Sequence, residues 1–170
     1  MTTQPDMLQI ALQGFHTARV RYYKQLDGGH PEEQLIVPTI EVIYWACVLD
    51  EQLEKRDPTY TQSMDYGREV MQGARFSRNR ATHELLMLIK RTAGLQVPVR
   101  VPLRLEEIVW LSVDPPQGEE RTQRWYYVRH LADKPVRHTI DTIAAWFAEV
   151  QNRPHSPLRA GLQPSEASAP

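Results

Sequence analysis

Three side chains in one short segment have the types and the spacing that metal-free cleavage of RNA requires. Arg78 and Asn79 are followed by His83, four positions after the asparagine, so Asn79 and His83 lie one turn apart on a helix. An imidazole can take the proton of a ribose 2′-hydroxyl, or give one to the leaving oxygen. A guanidinium can neutralise charge developing on the phosphorus. Asn79 can orient the imidazole or hold a phosphate oxygen.

Further charged residues near this motif could support the same chemistry. Arg75 and Arg80 are candidate RNA-binding residues, and their signature would be binding that weakens as salt increases. Glu41 stands in an otherwise apolar segment, where a carboxylate requires a cation. We expect its partner to be Arg78 or Arg75, in which case Glu41 either orients the arginine or only neutralises it.

The positive charge is local. The chain has 20 Lys and Arg against 21 Asp and Glu, a net charge of −1, which provides no overall attraction to nucleic acid. Residues 68–104 carry eight basic side chains against two acidic ones, a net of +6. Residues 41–57 carry five acidic against two basic, a net of −3. This acidic stretch is either a solvated helix face or a complement to the basic stretch.

The pattern Arg-Asn-x-x-x-His at residues 78–83, on the third predicted helix, resembles the active-site motif of the HEPN superfamily. The looser Arg and His spacing recurs at Arg124 and His130, where a strand is predicted and we assign no function. The resemblance implies a helical bundle, often homodimeric, in which the Arg and His of two subunits share an RNA-cleaving cleft. It implies a ribonuclease without metal or cofactor that leaves 2′,3′-cyclic phosphate ends. Toxin–antitoxin or antiviral defence systems, with an antitoxin or other regulatory protein as partner, are implied contexts.

Other interpretations of the same residues remain open. Arg78 could pair with Glu41 or Asp50 of the second predicted helix, and His83 could hydrogen-bond at the edge of the core. Some HEPN members keep the fold without the activity, so fold alone does not decide function. The alternative function is a non-catalytic helical module that docks a protein or nucleic-acid partner through residues 68–104.

Composition and motifs exclude several other function classes. Cys47 is the only cysteine, so a disulfide framework is excluded and a reducing compartment is predicted. The N-terminus lacks the features of a signal peptide, and no segment approaches the roughly 18 apolar residues of a membrane span. We therefore expect a cytoplasmic protein that does not bind a membrane. The sequence contains no metal-ligand spacing, Gly-rich phosphate loop or GxSxG elbow, so no metal site is predicted.

The elements that position the motif are predicted to be helices around one core, which 170 residues can form without a disulfide. Asp6 can cap a first helix that ends at the glycines 28 and 29. Pro38 suits the first turn of a second, central helix that residues 57–58 end. The third starts near residues 61–63 and continues to about Ala93, with a weak point at Gly73. Its predicted packing seam contains Val70, Ala74, Ser77, Ala81, Leu85 and Leu88.

The last third of the chain has a different pattern of residue types. Residues 108–113 and 125–128 are β-branched and aromatic and flank a turn-rich segment, which predicts a hairpin at about 106–130. A last helix follows Pro135, and residues 152–170 are predicted to be disordered. The predicted fold class is thus mainly α, a four- to five-helix bundle with a small β-hairpin before the last helix. Residues 1–151 would form the single domain. Aromatic side chains that could stack bases, or more commonly pack, are Trp110, Trp125, Tyr126 and Tyr127.

Overall fold

The structure is a computed structural model, and it describes residues 6–63, 65–84, 89–97, 103–115 and 122–159. Within these ranges it contains six helices and one two-stranded antiparallel sheet. The predicted fold class, mainly helical with a small hairpin before the last helices, is confirmed. The elements in chain order are α1 (Met7–Asp27), α2 (Glu32–Arg56), α3 (Pro58–Thr61), α4 (Tyr66–Glu84), β1 (Ile89–Val97), β2 (Leu103–Trp110), α5 (Gln123–His130) and α6 (Val136–Asn152).

The first helix begins and ends as its local signals predict. The Asp6 carboxylate accepts a hydrogen bond from the backbone N–H of Leu8 at 3.0 Å, which satisfies one of the free donors at the start of α1. The helix ends at Asp27, and Gly29 follows with φ +68°, a left-handed conformation that favours glycine. α1 then packs along α2 in the most extensive helix–helix contact of the described residues.

The second helix begins earlier than predicted. It starts at Glu32, so the expectation that Pro38 lies in its first turn is wrong, and Pro38 is a buried residue inside the helix. The acidic residues Glu32 and Glu33 form the first turn, where negative charge is favourable near the free backbone N–H groups. The predicted end is confirmed: α2 stops at Arg56, and Asp57 caps α3 by accepting from the Thr59 N–H at 2.9 Å.

The fourth helix presents its small residues to the core. Val70, Ala74 and Ser77 of the predicted seam are buried, which confirms this part of the seam, whereas the predicted members at 85 and 88 lie outside the described residues. Gly73 marks the closest approach of the following helix. A Cβ atom at 73 would lie 2.7 Å from Cδ1 of Leu131 and 3.2 Å from the Tyr126 carbonyl oxygen. A small residue is therefore needed where α4 meets α5.

The hairpin lies elsewhere than predicted. β1 pairs with β2 in an antiparallel register that runs from Ile89 opposite Trp110 to Val97 opposite Leu103. The prediction of a helix continuing to residue 93 is therefore wrong, as is the prediction of a strand at 125–128. Residues 123–130 form α5, whose cap is the Thr122 hydroxyl accepting from the Trp125 N–H at 3.3 Å. This cap and packing against α4 outweigh the weak strand preference of the aromatic residues.

The hairpin is anchored to the bundle by buried aromatic residues. The Trp110 indole is completely buried, and its Nε1–H donates to the Thr139 hydroxyl of α6 at 2.9 Å. The Tyr127 hydroxyl of α5 donates to the Leu111 carbonyl oxygen at 2.6 Å. These contacts explain the stability of a two-stranded sheet, which is marginal by itself. Trp110 and Tyr127 pack in the core, so neither is available to stack a base.

The C-terminal segment is ordered beyond α6. Residues 153–159 form turns in which Leu158 is completely buried, and the Leu158 N–H donates to the Ser156 hydroxyl at 3.3 Å. The prediction of a disordered tail from residue 152 is wrong for these residues, because Leu158 supplies apolar burial that offsets the cost of ordering. Residues 160–170 of that predicted tail lie outside the described residues.

Gly67 lies where α4 crosses α6. A Cβ atom at 67 would lie 2.5 Å from the Cβ of Trp146, whose indole is buried and donates to the Tyr60 hydroxyl at 3.1 Å. We expect Gly67→Ala to lower the free energy of unfolding by about 1–3 kcal/mol, because a packed core cannot absorb the added methyl group. Urea denaturation measures this change. A gain in stability, the usual result of Gly→Ala in a helix, would contradict the close approach.

Candidate functional site

The two motif residues whose side chains are described lie in the second half of α4, between α2 and α5. The Arg78 guanidinium contacts the Glu51 carboxylate of α2 through Nη1. Its Nε and Nη2 donate to the Asn79 side-chain oxygen at 3.4 and 3.3 Å. The Arg78 side chain remains 25% exposed and that of Glu51 39% exposed. Arg78 is thus held by two partners at the rim of the bundle.

Asn79 connects Arg78 to the next helix. Its side-chain nitrogen donates to Oε1 of Gln123, at the start of α5, at 3.2 Å. The amide oxygen thus accepts from Arg78 while the amide nitrogen binds α5, which fixes the orientation of the group. In this arrangement, Asn79 orients the guanidinium.

Residue 83 is in α4, one position before its end, and its side chain lies outside the described residues. In an ideal helix with about 100° per residue, position 83 lies about 40° around the axis from Asn79 and about 140° from Arg78. Residue 83 is therefore on the side of α4 that carries Asn79. Arg78 lies on the side of α4 that faces α2. Around the helix axis, Asn79 therefore lies between Arg78 and position 83.

Arg75, predicted to bind RNA, lies in a buried ion-pair network. Its Nε donates to Asp50 at 2.7 Å, and its Nη2 lies 2.7 Å from Glu54. Arg68 donates to the other oxygen of Asp50 at 2.6 Å and also contacts Glu54. Burial disfavours charge on Arg75, but the two carboxylates outweigh it and raise the pKa of the guanidinium above its ordinary value.

Exposure separates these arginines from Arg78. The side chains of Arg68 and Arg75 are 11% and 13% exposed, about half the exposed fraction of Arg78. Asp50, between them, is completely buried and also accepts from the Tyr60 hydroxyl. The acidic residues of α2 therefore complement the arginines of α4, which was one of the two alternatives for the acidic stretch. Two of the eight basic side chains of residues 68–104, those of Arg68 and Arg75, are thus paired with carboxylates inside the protein.

The predicted partners of Glu41 are wrong. Its carboxylate accepts from Nη1 of Arg21, on α1, at 2.7 and 3.0 Å. Neither Arg75 nor Arg78 reaches it, because ten residues of helix separate Glu41 from Glu51, about 15 Å along the axis. The prediction that Arg78 would pair with Glu41 or Asp50 is also wrong, since Glu51 takes that position. Glu41 holds α1 to α2 and gives the motif no direct support.

Arg80, the other predicted RNA-binding residue, lines a cleft that the sequence did not predict. The cleft measures about 400 Å³ and lies between α4, α5 and the segment after β2. The Arg80 guanidinium lies over the Phe76 ring, 5.9 Å from its centre. Across the cleft, Nε of Arg124 donates to the Asp114 carbonyl oxygen at 2.8 Å. The remaining lining residues are Ser112 and Val113.

Glu51, Gln123 and Arg124 were not among the predicted site residues. Glu51 follows Asp50, which was considered as a partner of Arg78. Arg124 was assigned to the predicted second strand without a function, and Gln123 fell within the hairpin predicted at about 106–130. The signal that could have placed them is Thr122, a residue type that commonly caps helices, immediately before the segment.

The described residues contain few other chemical candidates. In these ranges no three His, Cys, Asp or Glu side chains are grouped so that they could hold a metal ion. None of the helices described above has the length and the apolar content to cross a bilayer. Cys47 is a buried free thiol, and burial raises its pKa to about 12, so it is a poor nucleophile near neutral pH.

Comparisons of the chain with known families, curated proteins and solved structures find no match. Function must therefore be inferred from the residues themselves. Two neighbouring features can carry such an inference. One is the rim group of Arg78, Asn79 and position 83, and the other is the cleft between Arg80 and Arg124.

Proposed function

We propose that this protein is a metal-independent RNA endonuclease of the HEPN type, with Arg78, Asn79 and His83 as its catalytic residues. The observation that carries the proposal is the placement of Arg78. It is held by Glu51 and Asn79 in a defined orientation, yet keeps a quarter of its side chain exposed. Arg68 and Arg75, on the same helix, are more deeply buried between carboxylates, as expected for structural arginines.

In the proposed reaction, the ribose 2′-oxygen attacks the adjacent phosphorus, and the bond from phosphorus to the 5′-oxygen breaks. The His83 imidazole takes the 2′-hydroxyl proton or gives a proton to the leaving 5′-oxygen, and the other proton is exchanged with water. The products are a 2′,3′-cyclic phosphate and a 5′-hydroxyl, so the atoms balance without a metal, an oxidant or a cofactor. RNA is the substrate and no cofactor is required.

The Arg78 guanidinium stabilises the charge on the phosphorane oxygens in this scheme. A guanidinium that is already oriented costs little reorganisation when charge develops. Glu51 and Asn79 supply that orientation, and Gln123 holds Asn79 in turn. An incoming phosphate competes with Glu51 for the guanidinium, which suits an arginine at an exposed rim better than one inside the core.

The resemblance extends the proposal to the setting in which the enzyme acts. A homodimer would bring two copies of the motif to one cleft, and a toxin or antiviral effector would need an antitoxin or other regulatory protein. The free thiol of Cys47 supports a reducing, cytoplasmic location. The non-catalytic module that docks a partner through residues 68–104 has less support, because Arg75, which it would use, is engaged with Asp50 and Glu54.

The test is cleavage of a single-stranded RNA by purified protein in the presence of EDTA. We expect fragments with 2′,3′-cyclic phosphate and 5′-hydroxyl ends, identified by mass spectrometry. The control is the variant with both Arg78→Ala and His83→Ala, purified in the same way to expose contaminating nuclease. Equal cleavage by the two preparations would overturn the proposal. Absence of cleavage by the wild type would also overturn it and would favour a binding module.

A further inference from the structure

The cleft between Arg80 and Arg124 has the size of a small-ligand site. Its volume of about 400 Å³ lies in the range of about 300–1,000 Å³ that is usual for such sites. It is too small for a folded partner and large enough for one nucleotide. Its walls come from three parts of the chain, namely α4, α5 and residues 112–114.

Charge in the cleft favours an anion. Among its described lining residues, the charged groups are the guanidiniums of Arg80 and Arg124 and the carboxylate of Asp114. The hydrogen bond from Arg124 Nε to the Asp114 carbonyl oxygen uses one of the five N–H donors of the guanidinium. It orients the four remaining donors, on Nη1 and Nη2. Among the described residues, no carboxylate forms an ion pair with Arg124, in contrast to Arg78. A phosphate group is the ligand that such a fork binds in bidentate fashion.

The cleft also offers flat surfaces for a base. The Arg80 guanidinium lies over the partly buried Phe76 ring, which packs against Tyr127 with ring centres 5.0 Å apart and an interplanar angle of 47°. Unstacked RNA bases stack on aromatic rings and on guanidinium planes. The Asp114 carboxylate and the Ser112 hydroxyl, both exposed, can accept hydrogen bonds from the edge of a base.

The cleft adjoins the motif at Asn79, whereas in an ideal helix Arg78 lies about 160° around the axis from both Phe76 and Arg80. Asn79 precedes Arg80 on α4 and Gln123 precedes Arg124 on α5, so the Asn79–Gln123 hydrogen bond joins the two helices one residue before each cleft arginine. In an ideal helix, position 83 lies about 20° around the axis from Phe76 and about 60° from Arg80. Position 83 is therefore on the side of α4 that carries Phe76 and Arg80.

We infer that this cleft binds one unstacked nucleotide of single-stranded RNA, adjacent to the phosphate that is cleaved. The inference rests on the proposed function and deepens it. Arg124 binds the phosphate of this nucleotide, and Phe76 with Arg80 forms the platform for its base. Arg124 and Phe76 are binding residues in this scheme, while Arg78 and His83 act on the neighbouring phosphate.

The test uses the His83→Ala protein, in which cleavage does not consume the ligand. A fluorescein-labelled pentanucleotide RNA is titrated into this protein and into versions with Arg124→Gln or Phe76→Leu added. The control is Arg129→Gln, on the same helix and exposed, where Arg129 lies over Trp125 rather than in the cleft. Fluorescence anisotropy gives Kd at several salt concentrations, and urea denaturation verifies that each variant folds.

We expect Arg124→Gln to raise Kd about tenfold, because it removes a charge-assisted contact, and to reduce the slope of log Kd against log salt by about 0.7. Phe76→Leu should raise Kd about fivefold or more without changing the slope. Competition by a nucleoside monophosphate, with inorganic phosphate much weaker, is expected for a nucleotide site. Unchanged Kd in Arg124→Gln relative to Arg129→Gln, or no RNA binding at all, would overturn the inference.

The outcome is separable from that of the cleavage test. Cleavage by the wild type, combined with unaltered RNA binding in Arg124→Gln, would contradict the nucleotide site and support the nuclease proposal. Loss of RNA binding in Arg124→Gln, together with a wild type that does not cleave RNA, would support the nucleotide site and contradict the nuclease proposal. Competition by inorganic phosphate equal to that of the nucleoside monophosphate would overturn the base platform.

Discussion

Replacing His83 with alanine is expected to lower the rate of RNA cleavage by about 10²–10⁴-fold, the usual contribution of a general acid or base. Of the three proposed catalytic groups, the imidazole is the one suited to proton transfer, since guanidiniums do not lose their proton in proteins and amides do not titrate. Water must then take its place, and water is a poor acid and a poor base near neutral pH. Initial rates on a fluorogenic RNA in EDTA measure the loss.

A matched histidine variant controls for this prediction. His138 lies on α6 and is exposed, so His138→Ala removes an imidazole without touching the motif. It should cleave at the wild-type rate and unfold at the wild-type urea concentration. A His83→Ala protein that is folded and cleaves RNA as fast as His138→Ala would contradict the proposed mechanism.

Replacing Asp50 with alanine is expected to cost about 3–5 kcal/mol of folding free energy. The carboxylate is completely buried and accepts hydrogen bonds from Tyr60, Arg68 and Arg75. Its removal leaves two guanidiniums facing each other across a cavity, with Glu54 as their remaining partner in the network. A small domain has only about 5–15 kcal/mol of total stability, so much of it would be lost. Urea denaturation monitored by circular dichroism measures the change.

A surface aspartate supplies the contrast. Asp141 pairs with Arg19 at 2.9 Å and is exposed, so Asp141→Ala should cost less than about 1 kcal/mol. Asp50→Asn keeps an acceptor but loses the charge, and its stability should fall between those of Asp50→Ala and the wild type. Equal stabilities of Asp50→Ala and Asp141→Ala would show that the buried network contributes nothing to folding.

The buried network also explains why α4 can carry a functional arginine. Arg68, Arg75 and Arg78 are spaced seven and three residues apart, so they form one stripe toward α2. The first two are bound by Asp50 and Glu54 and lock the register between the helices. Arg78 is the last and most exposed member. Rigid helices thus hold its guanidinium at the rim, which is what preorganised electrostatic catalysis needs.

Local signals in the sequence determined where several helices begin and end. Asp6, the glycines at 28 and 29, Asp57 and Pro135 act through hydrogen bonds or dihedral restrictions within a few residues, so their effects can be read without the fold. The seam of small residues on α4 follows from helical periodicity alone. The motif spacing that places Asn79 and position 83 one turn apart is local in the same sense.

Tertiary packing decided the strand and helix assignments of the last third. Residues 89–92 continue a helical pattern in the sequence, yet they pair with β2. The aromatic residues at 125–127 form a helix because α5 packs at Gly73. The intrinsic preferences of such residues differ by only a fraction of a kcal/mol, which a few buried contacts outweigh.

Charge partners were also decided by the fold. Which carboxylate meets Arg78, Arg75 or Arg21 depends on the rotation and register of whole helices, and a shift of one residue turns a side chain by about 100°. For this reason Glu51, rather than Asp50 or Glu41, holds Arg78. The cleft that joins Arg80 to Arg124 arises in the same way, from residues 44 positions apart that only the packing of α5 on α4 brings together.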